Sequence, residues 1–163
     1  MILHVINRFS PQVSNRLAIS ANRNLDAYEK FQLPVLTDAT PNYDGPLAGI
    51  QAGLRWCKSE YLAVAPCDSP LLPINLVAQL LASNERNNTE IAAAINGGRR
   101  QPVFALIKSS LADSLDSFLA EGNRKIGQWY DSERLSWVEF DEQHAFSNVN
   151  TREDLNTVDA LVS

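Results

Sequence analysis

Cysteine is almost missing from this chain: Cys57 and Cys67 are the two it has in 163 residues. No further cysteine or histidine stands near them at ligand spacing, which argues against a zinc site and against a disulfide framework. Both are expected as reduced thiols in or near the core. Histidine is equally scarce, and neither His4 nor His144 has a recognisable nucleophile to serve, so both read as structural. No apolar run approaches the roughly eighteen residues that would span a bilayer. The N-terminus has no basic, apolar and small-residue succession of the leader kind, so the cytoplasm is the expected compartment. Positive charge is short as well. The net charge is -5, and the scattered basic residues form no stripe for a nucleic acid. A small phosphorylated ligand stays compatible with this balance, because a metal, a helix N-terminus or backbone N–H groups can meet its charge locally.

What is present is ordinary for a soluble globular protein: 45% hydrophobic and 20% charged residues, with no internal repeat. The length predicts a single domain over residues 1–163. Ile2, Leu3, Val5, Ile6 and Phe9 predict a helix that Pro11 ends. Short strands are expected at 16–20 and 34–37, with a helix at 25–31 between them. The second strand runs into Asp38 and a loop rich in proline, Asn42 and Gly45, long enough to suggest a functional segment. Gly45 and Pro46 open a helix to about Lys58, with Pro46 suited to its first position. A strand at 61–66, a helix at 73–81 and a strand at 90–95 follow. Gly97 and Gly98 turn the chain into an antiparallel partner at 102–108. Helices at 110–120, closed by Gly122, and at 124–130 precede an edge strand at 135–140. A last helix starts at Thr151, with Asp154 in a capping-box-like position. Alternating strands and helices argue for an α/β fold, a mostly parallel sheet covered on both faces.

In such sheets ligands bind beyond the carboxyl ends of the strands. The inferred strands end in Ser20 and Asn22, in Asp38 and in Asp68, and the segment after the edge strand carries Asn148 and Asn150. One or two carboxylates plus amides suit Mg²⁺, which completes its shell with water and substrate phosphates. Each residue also has a plainer reading. Asp38, Asp68, Asn148 and Asn150 are ordinary turn or cap residues, and GPLAG at 45–49 can be a tight helix start. Cys67 has no base beside it. Trp56, Trp129 and Trp137 read as core or half-buried anchors.

In order along the chain, AISANRN, PVLTD, YDGPLAGIQAGL, VAPCDSPLLP, GGRRQPVFAL, FLAEGNRKIGQW and FSNVNTREDL resemble the bacterial molybdenum cofactor guanylyltransferases over nearly the whole length. The resemblance implies a three-layer, Rossmann-like nucleotidyltransferase fold, a mostly parallel sheet with an antiparallel strand, and Mg²⁺-dependent transfer of GMP from GTP to molybdopterin. It makes Asp68 the metal ligand and, with Asn150, a catalytic residue. It assigns Asn22, Asp38, Gly45, Pro46, Leu47 and Gly49 to the nucleotide, with Ser20 standing where the family has an asparagine, and Asn148 to the metal and pterin side. Arg99, Arg100 and Gln101 fall toward the second substrate. Other cofactor-biosynthesis proteins and molybdoenzymes follow as partners. The family opens with a strand and a glycine-rich LAGG-type loop, whereas Met1 matches the start of the helix after that unit. A gap of about thirty residues, the size of a strand, loop and turn, is therefore expected in the middle of the sheet, with weakened nucleotide binding. Two further readings stay open: a non-catalytic module that binds pterin or a partner, and a related nucleotidyltransferase using another triphosphate.

Overall fold

The computed structural model describes residues 1–39, 45–142 and 144–149. Helix α1 (Ile2–Phe9) leads into a short 3-10 turn and then β1 (Ile19–Ser20), α2 (Asp26–Glu29) and β2 (Val35–Leu36). Helix α3 (Pro46–Trp56), β3 (Tyr61–Val64), α4 (Leu76–Asn87), β4 (Ile91–Asn96) and β5 (Arg99–Lys108) follow, then α5 (Ala112–Ala120), α6 (Ile126–Asp131) and β6 (Leu135–Phe140). Each strand and helix expected from the sequence within the described residues is present. The helix expected from Thr151, with Asn150 before it, lies outside them, as do residues 40–44 of the expected loop.

Among the described residues the strands form two sheets. β3, β5, β4 and β6 make one, in that order, and β1 pairs in parallel with β2 in the other. Within the larger sheet β5 runs against β3 and β4, while β4 and β6 are parallel. The β4–β5 hairpin turns on Gly97 (φ 54°) and Gly98 (φ 73°), and the double left-handed conformation is what a two-residue turn with the right twist demands. Farther along, Ala93 faces Ala105 but Ala94 faces Gln101. Pro102, which lacks an N–H for the ladder, sits in that irregularity. Its carbonyl accepts a bond from the buried Tyr130 hydroxyl at 2.9 Å, and burial pushes that phenol's pKa well above its ordinary range.

Helices cover both faces, giving three layers. Val5 and Phe9 of α1 and Leu76 and Leu80 of α4 pack on one side with Ala92, Phe104 and Phe140. Leu47, Ile50 and Leu54 of α3 pack on the other with Leu115, Trp129 and Tyr130. α4 begins three residues later than expected and ends at Asn87, because its inward stripe continues through Ser83 and Asn84, which apolar periodicity does not register. Asn84 is 1% exposed; it donates to the Leu106 carbonyl and accepts from the Thr89 hydroxyl, so its burial leaves no polar atom stranded. Three other expectations change. Leu3 lies off the buried stripe of α1 and Trp56 is on the surface. Cys67 is exposed rather than a core thiol, since it lies in the turn beyond β3.

Candidate active site

Contacts at the two ends of α3 orient the strands around it. Arg16, just before β1, donates to the Ser59 hydroxyl at 3.2 Å, and the Cys57 thiol, just after α3, reaches the Tyr61 carbonyl. The beginnings of β1 and β3 therefore lie together, near the C-terminus of α3. At the far end, a Cβ on Gly49, in the first turn of α3, would lie 2.9 Å from the Ser20 hydroxyl. Thus β1 and β3 point the same way, toward the N-terminus of α3. Asn22, Asp38, Gly45 and Asp68 line one continuous cavity of about 1430 Å³, so the carboxylates at 38 and 68 share an opening, as the strand-end reading requires.

Asp38 is held by Asn22 through two contacts: the Asn22 amide donates to Asp38 Oδ2 at 2.6 Å, and the Asp38 backbone N–H donates to Asn22 Oδ1 at 2.9 Å. This clamp fixes the tips after β1 and β2 to each other. Gly45 enters α3 at φ 67°, a conformation costly for any residue with a Cβ, and it offers no side chain to cap the first turn. Leu47 is fully buried in the core behind that turn, so it positions the helix instead of lining the opening.

Asp68 follows β3 and Pro66. Its Oδ1 is buried with no hydrogen-bond partner among the described residues. A buried carboxylate oxygen left so is costly and calls for a cation or donor. The neighbouring Ser69, fully buried, donates to Asn148 Oδ1 at 3.1 Å, and the Val149 N–H donates to the Asp68 carbonyl at 2.8 Å. Phe146 anchors this segment edge-on against Phe104 at 4.7 Å. Asn148 is thereby brought beside Asp68 across 80 positions of sequence. Partial burial, then the charge of Asp68, holds the Cys67 thiol above its ordinary pKa, which favours the inert protonated form. Among the described residues no three His, Cys, Asp or Glu side chains cluster as a metal cage. A single carboxylate with an unsatisfied oxygen is nevertheless a donor set that fits Mg²⁺, which seldom needs an all-protein cage.

Arg99, Arg100 and Gln101 also sit past the end of β3, because β5 runs back from that edge. Arg100, however, stacks over the Trp137 ring at 4.8 Å and is engaged on the β6 side of the sheet. The Asn22–Asp38 clamp and the partnership of Ser69 with Asn148 could not be read from spacing, since each joins separate segments.

The order of these features has close counterparts. The model of the MobA-like NTP transferase domain matches residues 1–135. Molybdenum cofactor guanylyltransferase of Cupriavidus taiwanensis is 47% identical, the alignment covering 98% of this chain and 82% of that protein. The chain belongs to the molybdenum cofactor guanylyltransferase family. It is a nucleotidyltransferase of that type. The guanylyltransferase of Polynucleobacter asymbioticus is 44% identical over 99% of this chain and 83% of its own. Among solved structures, molybdopterin-guanine dinucleotide biosynthesis protein A of Archaeoglobus fulgidus superposes with a TM-score of 0.75 at 23% identity, over 99% of this chain and 84% of that one. A CMP:2-keto-3-deoxy-manno-octonic acid synthetase complexed with CTP reaches 0.73 at 11% identity, over 99% and 86%. The guanylyltransferase fold is thus shared with enzymes of other nucleotides. Among the described residues no helix is long and apolar enough to cross a membrane.

Proposed function

We propose that this chain transfers GMP from GTP to molybdopterin at the rim shared by Asp38 and Asp68. The observation that carries the reading is Asp68 Oδ1, buried at the wall of the cavity with no hydrogen-bond partner among the described residues. In the reaction a molybdopterin phosphate oxygen forms a bond to the α-phosphorus of GTP, the bond from that phosphorus to the β-phosphate oxygen breaks, and pyrophosphate leaves.

Asp68 would hold Mg²⁺, with Asn148 beside it, and the family resemblance gives Asn150 a part in the same task. Bound there, the ion would offset phosphate charge and help orient the triphosphate. Asp38, kept in place by Asn22, accepts from N–H or O–H groups of the nucleotide. The first turn of α3, entered through Gly45 and Pro46, presents backbone N–H groups and the positive end of the helix dipole to phosphate oxygens. Ser20 and Gly49 keep that turn close to the end of β1. Nucleotidyl transfer leaves little covalent work to the protein, so positioning and electrostatics carry the rate. Cofactor-biosynthesis proteins and recipient molybdoenzymes of the cytoplasm are the partners this reading implies.

The test is incubation of the chain with GTP, Mg²⁺ and molybdopterin, following pyrophosphate release and the guanine dinucleotide, with CTP as competitor. GTP should be consumed in preference to CTP, and Asp68→Asn should lower turnover about 100-fold, as loss of one preorganised electrostatic group does. Equal use of CTP would reassign the base. Binding of molybdopterin with no pyrophosphate released would leave a binding module.

A further inference from the structure

Two bonds staple the segment around Asn148 to the turn after β3. The Val149 backbone N–H donates to the Asp68 carbonyl at 2.8 Å, and the Ser69 hydroxyl donates to Asn148 Oδ1 at 3.1 Å. They do different things. The first joins main chain to main chain and, with Phe146 seated against Phe104 and Phe140, sets where the segment lies. The second reaches only the side chain, so it decides which way the Asn148 amide faces.

Burial fixes the sense of that second bond. Ser69 has no exposure, and among the described residues its hydroxyl proton has no acceptor other than Asn148 Oδ1. Turning the amide over would offer Ser69 an N–H and strand the hydroxyl proton in the interior, at the cost of an unmade hydrogen bond. The oxygen of Asn148 is thus committed to Ser69, while the residue itself is exposed. What the amide keeps for a ligand is its NH₂ group, which only donates. Beside it stands the opposite requirement: Asp68 Oδ1 is a buried acceptor with no partner among the described residues. An acceptor that calls for a cation, next to an amide that offers donors, matches the two components of a metal-bound phosphate, the ion for Asp68 and an anionic oxygen for Asn148.

We propose that Ser69 is a positioning residue of the transfer reaction: it holds the Asn148 amide so that the NH₂ group donates to a phosphate oxygen of a bound substrate. Asn148 is then an anion donor and not an oxygen ligand of the metal. The inference rests on the function proposed above and adds the polarity of one group at that rim. Both GTP and molybdopterin carry such an oxygen, and the variants tell them apart.

The experiment titrates the parent, Ser69→Ala, Ser69→Thr and Asn148→Asp with GTP and Mg²⁺ and, separately, with molybdopterin, reading Kd by calorimetry. Urea midpoints and pyrophosphate release are followed alongside. Asn148→Asp keeps the acceptor for Ser69 and puts a negative oxygen in place of the donors, so it should weaken binding of one substrate at least about 50-fold. Ser69→Ala frees the amide to turn and should weaken the same substrate about fivefold, with a urea midpoint close to the parent's. Ser69→Thr keeps the hydroxyl and should stay within about twofold of the parent. The substrate that responds owns the phosphate.

The proposal is overturned if Asn148→Asp binds both substrates at least as tightly as the parent, because an oxygen would then serve the metal. It also falls if Ser69→Ala matches the parent for both, if Ser69→Thr restores nothing, or if Ser69→Ala weakens both equally while its midpoint drops, the mark of a residue that only packs. A parent that binds both substrates but releases no pyrophosphate would defeat the proposed reaction and leave the pattern of Kd values to decide on Ser69, so the two failures are told apart.

Discussion

The two halves of the rim are built to different standards. Asp68 follows β3, four residues at the edge of the larger sheet paired with β5, and Asn148 is tied to that turn; the sheet behind them is centred on β4, which is paired on both sides and has no exposure from Ile91 to Ala94. Asn22 and Asp38 stand on β1 and β2, two residues each and paired on one side. The Asp68 side of the candidate site therefore backs onto a four-stranded sheet, while the Asp38 side depends on a two-residue ladder and one side-chain clamp. Sites placed on well-packed elements hold their geometry; sites on marginal elements need help to do so.

Amide exchange gives the widest test of this contrast. Amides of Ala92, Ala93 and Leu106 should open only with global unfolding, and those of Ile19 and Leu36 by local opening at least about 1,000-fold more often; equal protection would erase the distinction. Next in size, Phe104→Ala should cost about 3 to 5 kcal/mol in denaturant unfolding, as a buried aromatic does. Leu36→Ala on the partly buried β2 should cost far less, and a similar loss at both would mean one cooperative core. Kinetics sharpen the comparison further: Asn22→Ala should raise the KM for GTP about fivefold, near 1 kcal/mol, with kcat little changed. A fall in kcat like that of Asp68→Asn would place Asn22 at the reacting atoms.

The smallest effect concerns a surface tie between α3 and α5. Gln51 donates to Asp116 at 2.6 Å and Arg55 pairs with it at 3.0 Å, and these, the Gln51 bond first, hold the Asp116 carboxyl below its ordinary pKa. A depressed carboxylate stabilises the fold above its unfolded pKa of about 3.9 and loses that contribution as pH falls through the lower folded value. Asp116→Asn should cost about 0.5 kcal/mol or less near neutrality, given the exposure of the pair. The gap from the parent should close once pH has fallen through the lowered folded pKa; a gap that persists in acid would locate its cause in packing.

Much of the fold was legible because its signals are local. The Gly97–Gly98 turn, the Gly45–Pro46 helix start and the stripe of α1 each occupy a few neighbouring residues, and their chemistry dictates the backbone directly. Asn84 escaped because its burial depends on Leu106 and Thr89 supplying partners, and Trp56 and Cys67 because side-chain type alone does not decide exposure. The site divided in the same way. Asp38 and Asp68 could be singled out as strand-end carboxylates, and the order of the motifs sufficed for the family.

The amino-acid order by itself determined the element types, the turns and the kinship with guanylyltransferases, since each is written within short windows or in their succession. Only the tertiary structure decided that Asp38 and Asp68 open on one cavity and that Asn22 clamps Asp38. Those facts depend on how segments tens of residues apart pack about α3, and no local period encodes that packing.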